Sequence, residues 1–120
     1  MAVGVGAQAT GLNTTAVGDN VLASGNFAVA IGNNATAIHL NSVALGHGSV
    51  TSSVNSVSVG AVGAERTIQN VAPGVWDTDA VSVNQLNAIT GGQNAAVTAA
   101  LDGLNVAVKN VGNSLRAEPP

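Results

Sequence analysis

Few side chains in this sequence could carry chemistry, and their spacing decides what kind. His39 and His47 lie eight residues apart on what read as turns of successive repeats. Surface imidazoles are the plain reading; a metal-binding or proton-switching array is the rarer one. Asp77 and Asp79 suggest calcium, but the loop lacks the further ligands and glycine of a calcium-binding helix–loop–helix. They read instead as helix-capping groups or ion partners of Arg66. Gly4-Val5-Gly6-Ala7-Gln8-Ala9 fits a dinucleotide fingerprint, which needs a following helix and an acid about 20 residues on; here it is one repeat among several. Asn13-Thr14-Thr15 and Asn34-Ala35-Thr36 match the glycosylation acceptor pattern and read as turn residues. No cysteine is present, which excludes disulfides, thiolate metal sites and a cysteine nucleophile. No histidine stands in a plausible setting with a nucleophile and an orienting acid. Residues 1–64 hold a single charged side chain, Asp19, so they cannot offer a carboxylate pair. The sequence therefore reads as non-enzymatic, with no cofactor and no metal.

The elements that would position such residues are thin. Phe27 and Trp76 are the only aromatics among 120 residues, yet 46% of the chain is apolar, nearly all of it Ala, Val, Leu and Ile. Small apolar residues with regular Gly and Asn suit stacked layers better than a round core. All charge except Asp19 lies from Glu65 onward, so composition changes there. A net charge of −3 with three basic residues leaves no footprint for nucleic acid or anionic lipid. No apolar run approaches the roughly 20 residues of a membrane span, and the N-terminus lacks a signal peptide's basic start. Any export signal and anchor are expected outside this fragment.

Five pentads align: Ala2-Val3-Gly4-Val5-Gly6, Thr14-Thr15-Ala16-Val17-Gly18, Ala28-Val29-Ala30-Ile31-Gly32, Ser42-Val43-Ala44-Leu45-Gly46 and Ser56-Val57-Ser58-Val59-Gly60. Their closing glycines are 12, 14, 14 and 14 residues apart, which makes the first coil two residues short. Each pentad places a β-branched and an aliphatic residue two apart on one strand face, with mostly tiny residues (Ala, Ser, Gly) at the alternate positions. A polar turn, a second short run such as Ala35-Thr36-Ala37-Ile38 or Ser49-Val50-Thr51, and another turn complete the repeat. Two short strands and two tight turns make one coil of a flattened parallel β-solenoid. The expectation is that Val, Ile and Leu are buried between coils, and that the smooth face of tiny residues invites close packing between copies.

From Glu65 the pattern changes. Glu65–Val71 could form one more strand before a turn at Pro73-Gly74, and Val83, Leu86 and Ile89 then shift to helical spacing. Either Asp79 or Ser82 could cap this helix, and Ser82-Val83-Asn84-Gln85 has the form of a capping box with Gln85 reaching back. Gly91-Gly92 is expected to interrupt or bend the helix. Beyond it Val97, Leu101, Leu104, Val108, Val111 and Leu115 are spaced 4, 3, 4, 3 and 4, a coiled-coil seam that extends back to Asn94. Gly103, Gly112 and several Val make a poor lone helix, so partner helices must hold it. Arg116-Ala117-Glu118-Pro119-Pro120 reads as a frayed or truncated end.

Residues 2–90 resemble the trimeric autotransporter adhesins with YadA-like heads. Ala28-Val29-Ala30-Ile31-Gly32 and Ser42-Val43-Ala44-Leu45-Gly46 are similar to that family's head repeat. Glu65-Arg66-Thr67-Ile68-Gln69-Asn70-Val71-Ala72, followed by Asp77-Thr78-Asp79-Ala80-Val81-Ser82-Val83-Asn84-Gln85-Leu86, is similar to its neck motif, in the right order and just before a coiled coil. The resemblance implies a left-handed parallel β-roll head over 1–64, a neck over 65–90 that includes Arg66, Asp77 and Asp79, and a coiled-coil stalk segment over 91–120. It implies a homotrimer on a bacterial surface, anchored in the outer membrane through a missing C-terminal region. The head would bind host extracellular matrix or a cell-surface receptor. The family's collagen-binding heads carry repeats like Asn41–Ser49, with Leu45 here in place of the commoner Ile, so His47 and Ser49 are the candidate ligand-facing turn. The alternative is a spacer or fibre shaft displaying a separate tip. An ice-binding face would need a Thr-x-Thr column, and a β-helix acyltransferase a hexapeptide repeat; neither is present.

Overall fold

The structure, a computed structural model, describes residues 1–117 and divides into two compact units, Met1–Thr67 and the chain from Ile68 onward. The first unit is built from eight short strands: β1 (Ala2–Val3), β2 (Gln8–Ala9), β3 (Thr15–Val17), β4 (Leu22–Ala23), β5 (Val29–Ile31), β6 (Thr36–Ala37), β7 (Val43–Leu45) and β8 (Val57–Ser58). They form two parallel sheets, β1-β3-β5-β7-β8 and β2-β4-β6, as in a solenoid whose successive coils lie on one another. Register is uniform: Ala2 pairs with Ala16, Ala16 with Ala30, Ala30 with Ala44 and Ala44 with Ser58. The glycine amides continue the ladder, with Gly18, Gly32 and Gly46 donating to Val3, Val17 and Ile31 oxygens at 2.8 Å each.

This register corrects the reading of the first coil. Val3 pairs with Val17, so Gly4, not Gly6, is the counterpart of Gly18, and the first coil has the full length of the others. Gly6 belongs to a different series. A left-handed backbone recurs every seven residues, at Gly6, Asn13, Asn20, Phe27, Asn34, Asn41, Gly48 and Asn55, with φ between 51° and 71°. Asparagine tolerates this conformation because its short polar side chain bonds locally. Each coil is thus two similar halves, one corner to each. Gly4, Gly18, Gly32 and Gly46 sit at φ of 109° to 128°, where only glycine fits. A Cβ on Gly32 would also lie 2.5 Å from the Gly46 carbonyl carbon.

The assignment of strand faces is reversed by the structure. Ala16, Ala23, Ala30, Ala37 and Ala44 have no exposed surface, and with Ala28, Ala35 and Val21 they form the core. Ile31, Leu45, Val3 and Val57 are instead 39%, 46%, 53% and 66% exposed. The physical reason is the flatness of the coil. Its interior is filled mainly by alanine methyls, with Val21, Ser42 and Ser49 the largest fully buried side chains, and successive coils are joined by parallel backbone ladders. The bulky residues must point outward. The tiny face is therefore the interior of one chain and is not available to pack against copies.

In the second unit, irregular chain leads to a single helix, α1 (Val83–Ala117), 35 residues long. It runs without interruption through Gly91-Gly92, contrary to the break expected there, and no group lies within 4 Å of where their side chains would be. Glu118, Pro119 and Pro120, the end read as frayed, lie outside the described residues. Among the described residues no helix is long and apolar enough to cross a membrane.

Candidate interaction surfaces

The outer face of the five-stranded sheet carries two aliphatic files. One is Val3, Val17, Ile31 and Leu45; the other is Val29, Val43 and Val57. Cross-strand register places each residue beside its counterpart one coil away, so the files are continuous. The outer face of the three-stranded sheet mixes polar and apolar side chains, beginning with the file Gln8, Leu22 and Thr36.

The two turn edges of the solenoid also differ. The turns leaving the five-stranded sheet carry Val5, Asp19, Asn33 and His47. The Asp19 carboxylate accepts from Val5 N at 3.0 Å. His47 Nδ1 lies 3.0 Å from Asn33 O, and a carbonyl can only accept, so the proton sits on Nδ1. The opposite turns carry Leu12, Asn26-Phe27, Leu40 and Val54. Asn26 Oδ1 accepts from Leu12 N, and Asn41 Nδ2 donates to Asn55 Oδ1, both at 3.0 Å.

His47 is exposed on its turn, but Ser49 is not ligand-facing. It is fully buried, one of the inward positions that recur every seven residues through Ser42, and its hydroxyl donates to Leu45 O at 2.7 Å. His39 is half-buried, its Nδ1 2.9 Å from Thr51 Oγ1. The two histidines thus serve separate local bonds.

Arg66 closes the last coil. Its guanidinium donates to His47 O at 2.6 Å, Val59 O at 2.8 Å and Ser49 Oγ at 3.0 Å. A side chain on Gly46 would meet the guanidinium carbon at 3.1 Å, so Gly46 also makes room for it. Nothing in the spacing of Arg66 announced this, because two of its three acceptors are backbone carbonyls, which any residue supplies. Beside it an open cleft of about 360 Å³ is lined by Val50, Ser58, Val59, Glu65 and Arg66 among others. Glu65 is engaged there by the Gly63 amide at 3.0 Å, a bond that holds its carboxyl below the usual range. With both charged groups committed to backbone, the cleft offers no acid–base pair.

In the second unit Asp79 Oδ2 accepts from the amides of Val75 at 3.1 Å and Trp76 at 3.0 Å. The Trp76 amide first, then that of Val75, lowers its pKa below the ordinary aspartate value. Asp79 therefore ties its own loop, and Asp77 is exposed. Ser82 is the residue that caps α1, its hydroxyl accepting from Gln85 N at 3.3 Å. The other half of the expected capping box is absent. Gln85 turns its amide to Gly74, accepting from Gly74 N at 2.9 Å and donating to Gly74 O at 3.1 Å. Val75 and Trp76 are left 81% and 77% exposed on a loop tied at both ends.

Along α1 the predicted seam lies on the helix surface: Val97, Leu101, Leu104, Val108, Val111 and Leu115 are 55% to 68% exposed. No group of three or more metal-ligating side chains occurs among the described residues.

The chain is similar to proteins with YadA-like heads. The YadA head domain repeat family matches residues 1–20, 23–49 and 40–62. A C-terminal YadA-like domain from Burkholderia pseudomallei is 37% identical with a TM-score of 0.61, over 83% of this chain and 57% of that one. This chain thus spans little more than half of that structure. The collagen-binding domain of the Yersinia adhesin YadA is 29% identical with a TM-score of 0.45, over 74% of this chain and 73% of that one. No curated protein sequence matches. With a parallel solenoid of YadA-type head repeats followed by a long helix, the chain belongs to the trimeric autotransporter adhesins with YadA-like heads.

Proposed function

We propose that this chain is the head (1–64), neck (65–90) and first stalk segment (91–120) of an adhesin that works as a homotrimer, attaching a bacterial surface to host extracellular matrix or cell-surface components. One observation carries the assembly. The outward aliphatic files of the head and the seam of α1 leave Ile31, Leu45, Leu101 and Leu104 between 39% and 60% exposed in a single chain. A 35-residue helix containing Gly91, Gly92, Gly103 and Gly112 gains little from intrinsic propensity. Burial against copies is what stabilises it, and the family supplies the number three.

Attachment itself follows from repetition. The polar turns offer hydrogen bonds with almost no charge, so each contact is weak. Linked weak sites gain roughly 10²–10⁴ in apparent affinity. The test is binding of the intact protein to immobilised collagen, fibronectin, laminin and cultured host cells at low and high salt. A variant carrying Leu101→Ala and Leu104→Ala, each costing about 2–5 kcal/mol if buried in a seam, is run beside it. Attachment that depends on assembly and changes little with salt is expected. An assembled protein that binds none of these surfaces would instead be a spacer displaying a separate tip.

A further inference from the structure

We propose that Asn34, on an exposed corner of the head, is an acceptor for N-linked sugar, with Asn13 a second, less open site of the same kind. The inference concerns modification of the head and stands whatever surface the head attaches to.

The first observation is how the corner is held. Asn34 is exposed and has φ of 59°. Its backbone is committed: Asn34 N donates to Asp19 O at 3.0 Å, Ala35 N to Gly32 O at 3.0 Å and Thr36 N to Ser49 O at 2.8 Å. Unlike Asn26 and Asn41, whose carboxamides bond Leu12 N and Asn55 Oδ1, Asn34 makes no side-chain hydrogen bond among the described residues. A substituent on its Nδ2 therefore breaks nothing that holds the coil.

The second observation is space. The equivalent corner one coil on is Gly48, and nothing lies within 4 Å of where a side chain would begin there. A group attached to Asn34 meets no side chain from that corner. For Asn13 the equivalent corner is Phe27, a bulky neighbour, which makes Asn34 the more open of the two.

The third observation is the hydroxyl that the acceptor pattern requires two residues on. Thr36 lies between buried Ala35 and Ala37, so alternation turns it outward, where it is half-buried. Thr15 stands in the same way between Thr14 and Ala16. The other asparagine corners of the head, Asn20, Asn41 and Asn55, share the left-handed backbone and the exposure. Their outward residue two on is Leu22, Val43 or Val57, which carries no hydroxyl. The head thus presents two acceptor corners and three built-in controls.

A carboxamide nitrogen is a weak nucleophile, so transfer needs an enzyme and a sugar activated as a diphosphate ester. Asn34 Nδ2 bonds to the anomeric carbon while the bond from that carbon to the phosphate oxygen breaks. The diphosphate leaves with the electron pair, and the amide gives up one proton. The product is a bulky, solvated group beside the His47-Gly48 turn.

Peptide mass spectrometry of the protein isolated from the bacterium that makes it tests the assignment. The same chain produced in a strain without an asparagine-directed glycosyltransferase is the reference. The Asn34 peptide is expected to carry added sugar mass, the Asn13 peptide a smaller share, and those of Asn20, Asn41 and Asn55 none. Fragment masses also separate single sugars, from a nucleotide-linked donor, from a preassembled oligosaccharide, from a lipid-linked one. Thr36→Ala keeps Asn34 and is expected to lose its sugar, whereas Thr36→Ser is expected to retain it. Circular dichroism checks that both variants keep the strands of the parent. An unmodified Asn34 in the native protein overturns the proposal, as does sugar on Asn13 with Asn34 bare. Sugar on Asn20, Asn41 or Asn55 as often as on Asn34, or a Thr36→Ala protein that stays fully modified, overturns it too, because exposure alone would then select the site.

Discussion

Asp79 is the residue whose charge has the clearest structural consequence. Its carboxylate holds the Val75 and Trp76 amides, and those bonds depress its pKa below 3.8. A depressed carboxylate stabilises the fold above the unfolded-state pKa and loses that contribution as pH falls through the folded-state value. The loop is therefore expected to stay tied at neutral and mildly acidic pH and to loosen only below about 3.8. Trp76 fluorescence followed against pH reads this directly, since the indole is carried by the tied loop. A transition near pH 5 or above would mean that Asp79 does not hold it. Asp79→Asn should abolish the low-pH transition, because an uncharged amide has no such titration. The aspartates were visible in sequence as chemically pointed residues. Their use was not, since capping and ion pairing place identical demands on spacing.

At the level of the element, the repeat was legible and its inside was not. Alternation of bulky and tiny residues reports that a strand has two unlike faces. It does not say which face is enclosed. The usual preference for large aliphatics inside assumes an interior about 10 Å deep between sheets, whereas this interior is filled mainly by alanine. Two adjacent residues test the assignment. Ala30→Leu forces three extra carbons into a fully closed interior, and overpacking of this kind costs typically 1–3 kcal/mol or more. Head strands should be lost from circular dichroism or melt well below the parent. Ile31→Asp places its charge outward, where the single coil tolerates it, so the chain should keep its strand signal and lose self-association. If Ile31→Asp unfolds the head while Ala30→Leu is accepted, the faces are wrongly assigned. The continuity of α1 has a related lesson. Two consecutive glycines lower helix propensity by about 1 kcal/mol each, but neither blocks a backbone hydrogen bond, so the helix passes through them.

For the molecule as a whole, the proposed self-association makes stability depend on how much of it is present. A single chain keeps its interior of alanines, yet a methyl group buries little apolar area, and burial contributes only about 25 cal/mol per Å². Larger aliphatic side chains, among them Val3, Ile31 and Leu45 in the head and Val83 to Leu115 along the helix seam, remain at the surface. On the proposed assembly their burial comes from other copies, which links folding of the helix and association by mass action. Raising chain concentration tenfold should raise the melting temperature, and the particle at micromolar concentration should weigh about three times the 11.6 kDa chain. Circular dichroism at 222 nm, recorded across a dilution series, should show helix lost in step with the fall in mass. A helical signal and melting temperature indifferent to concentration, in a particle of single-chain mass, would show that these exposed files are covered by nothing in solution. The alanine interior would then have to hold the fold alone.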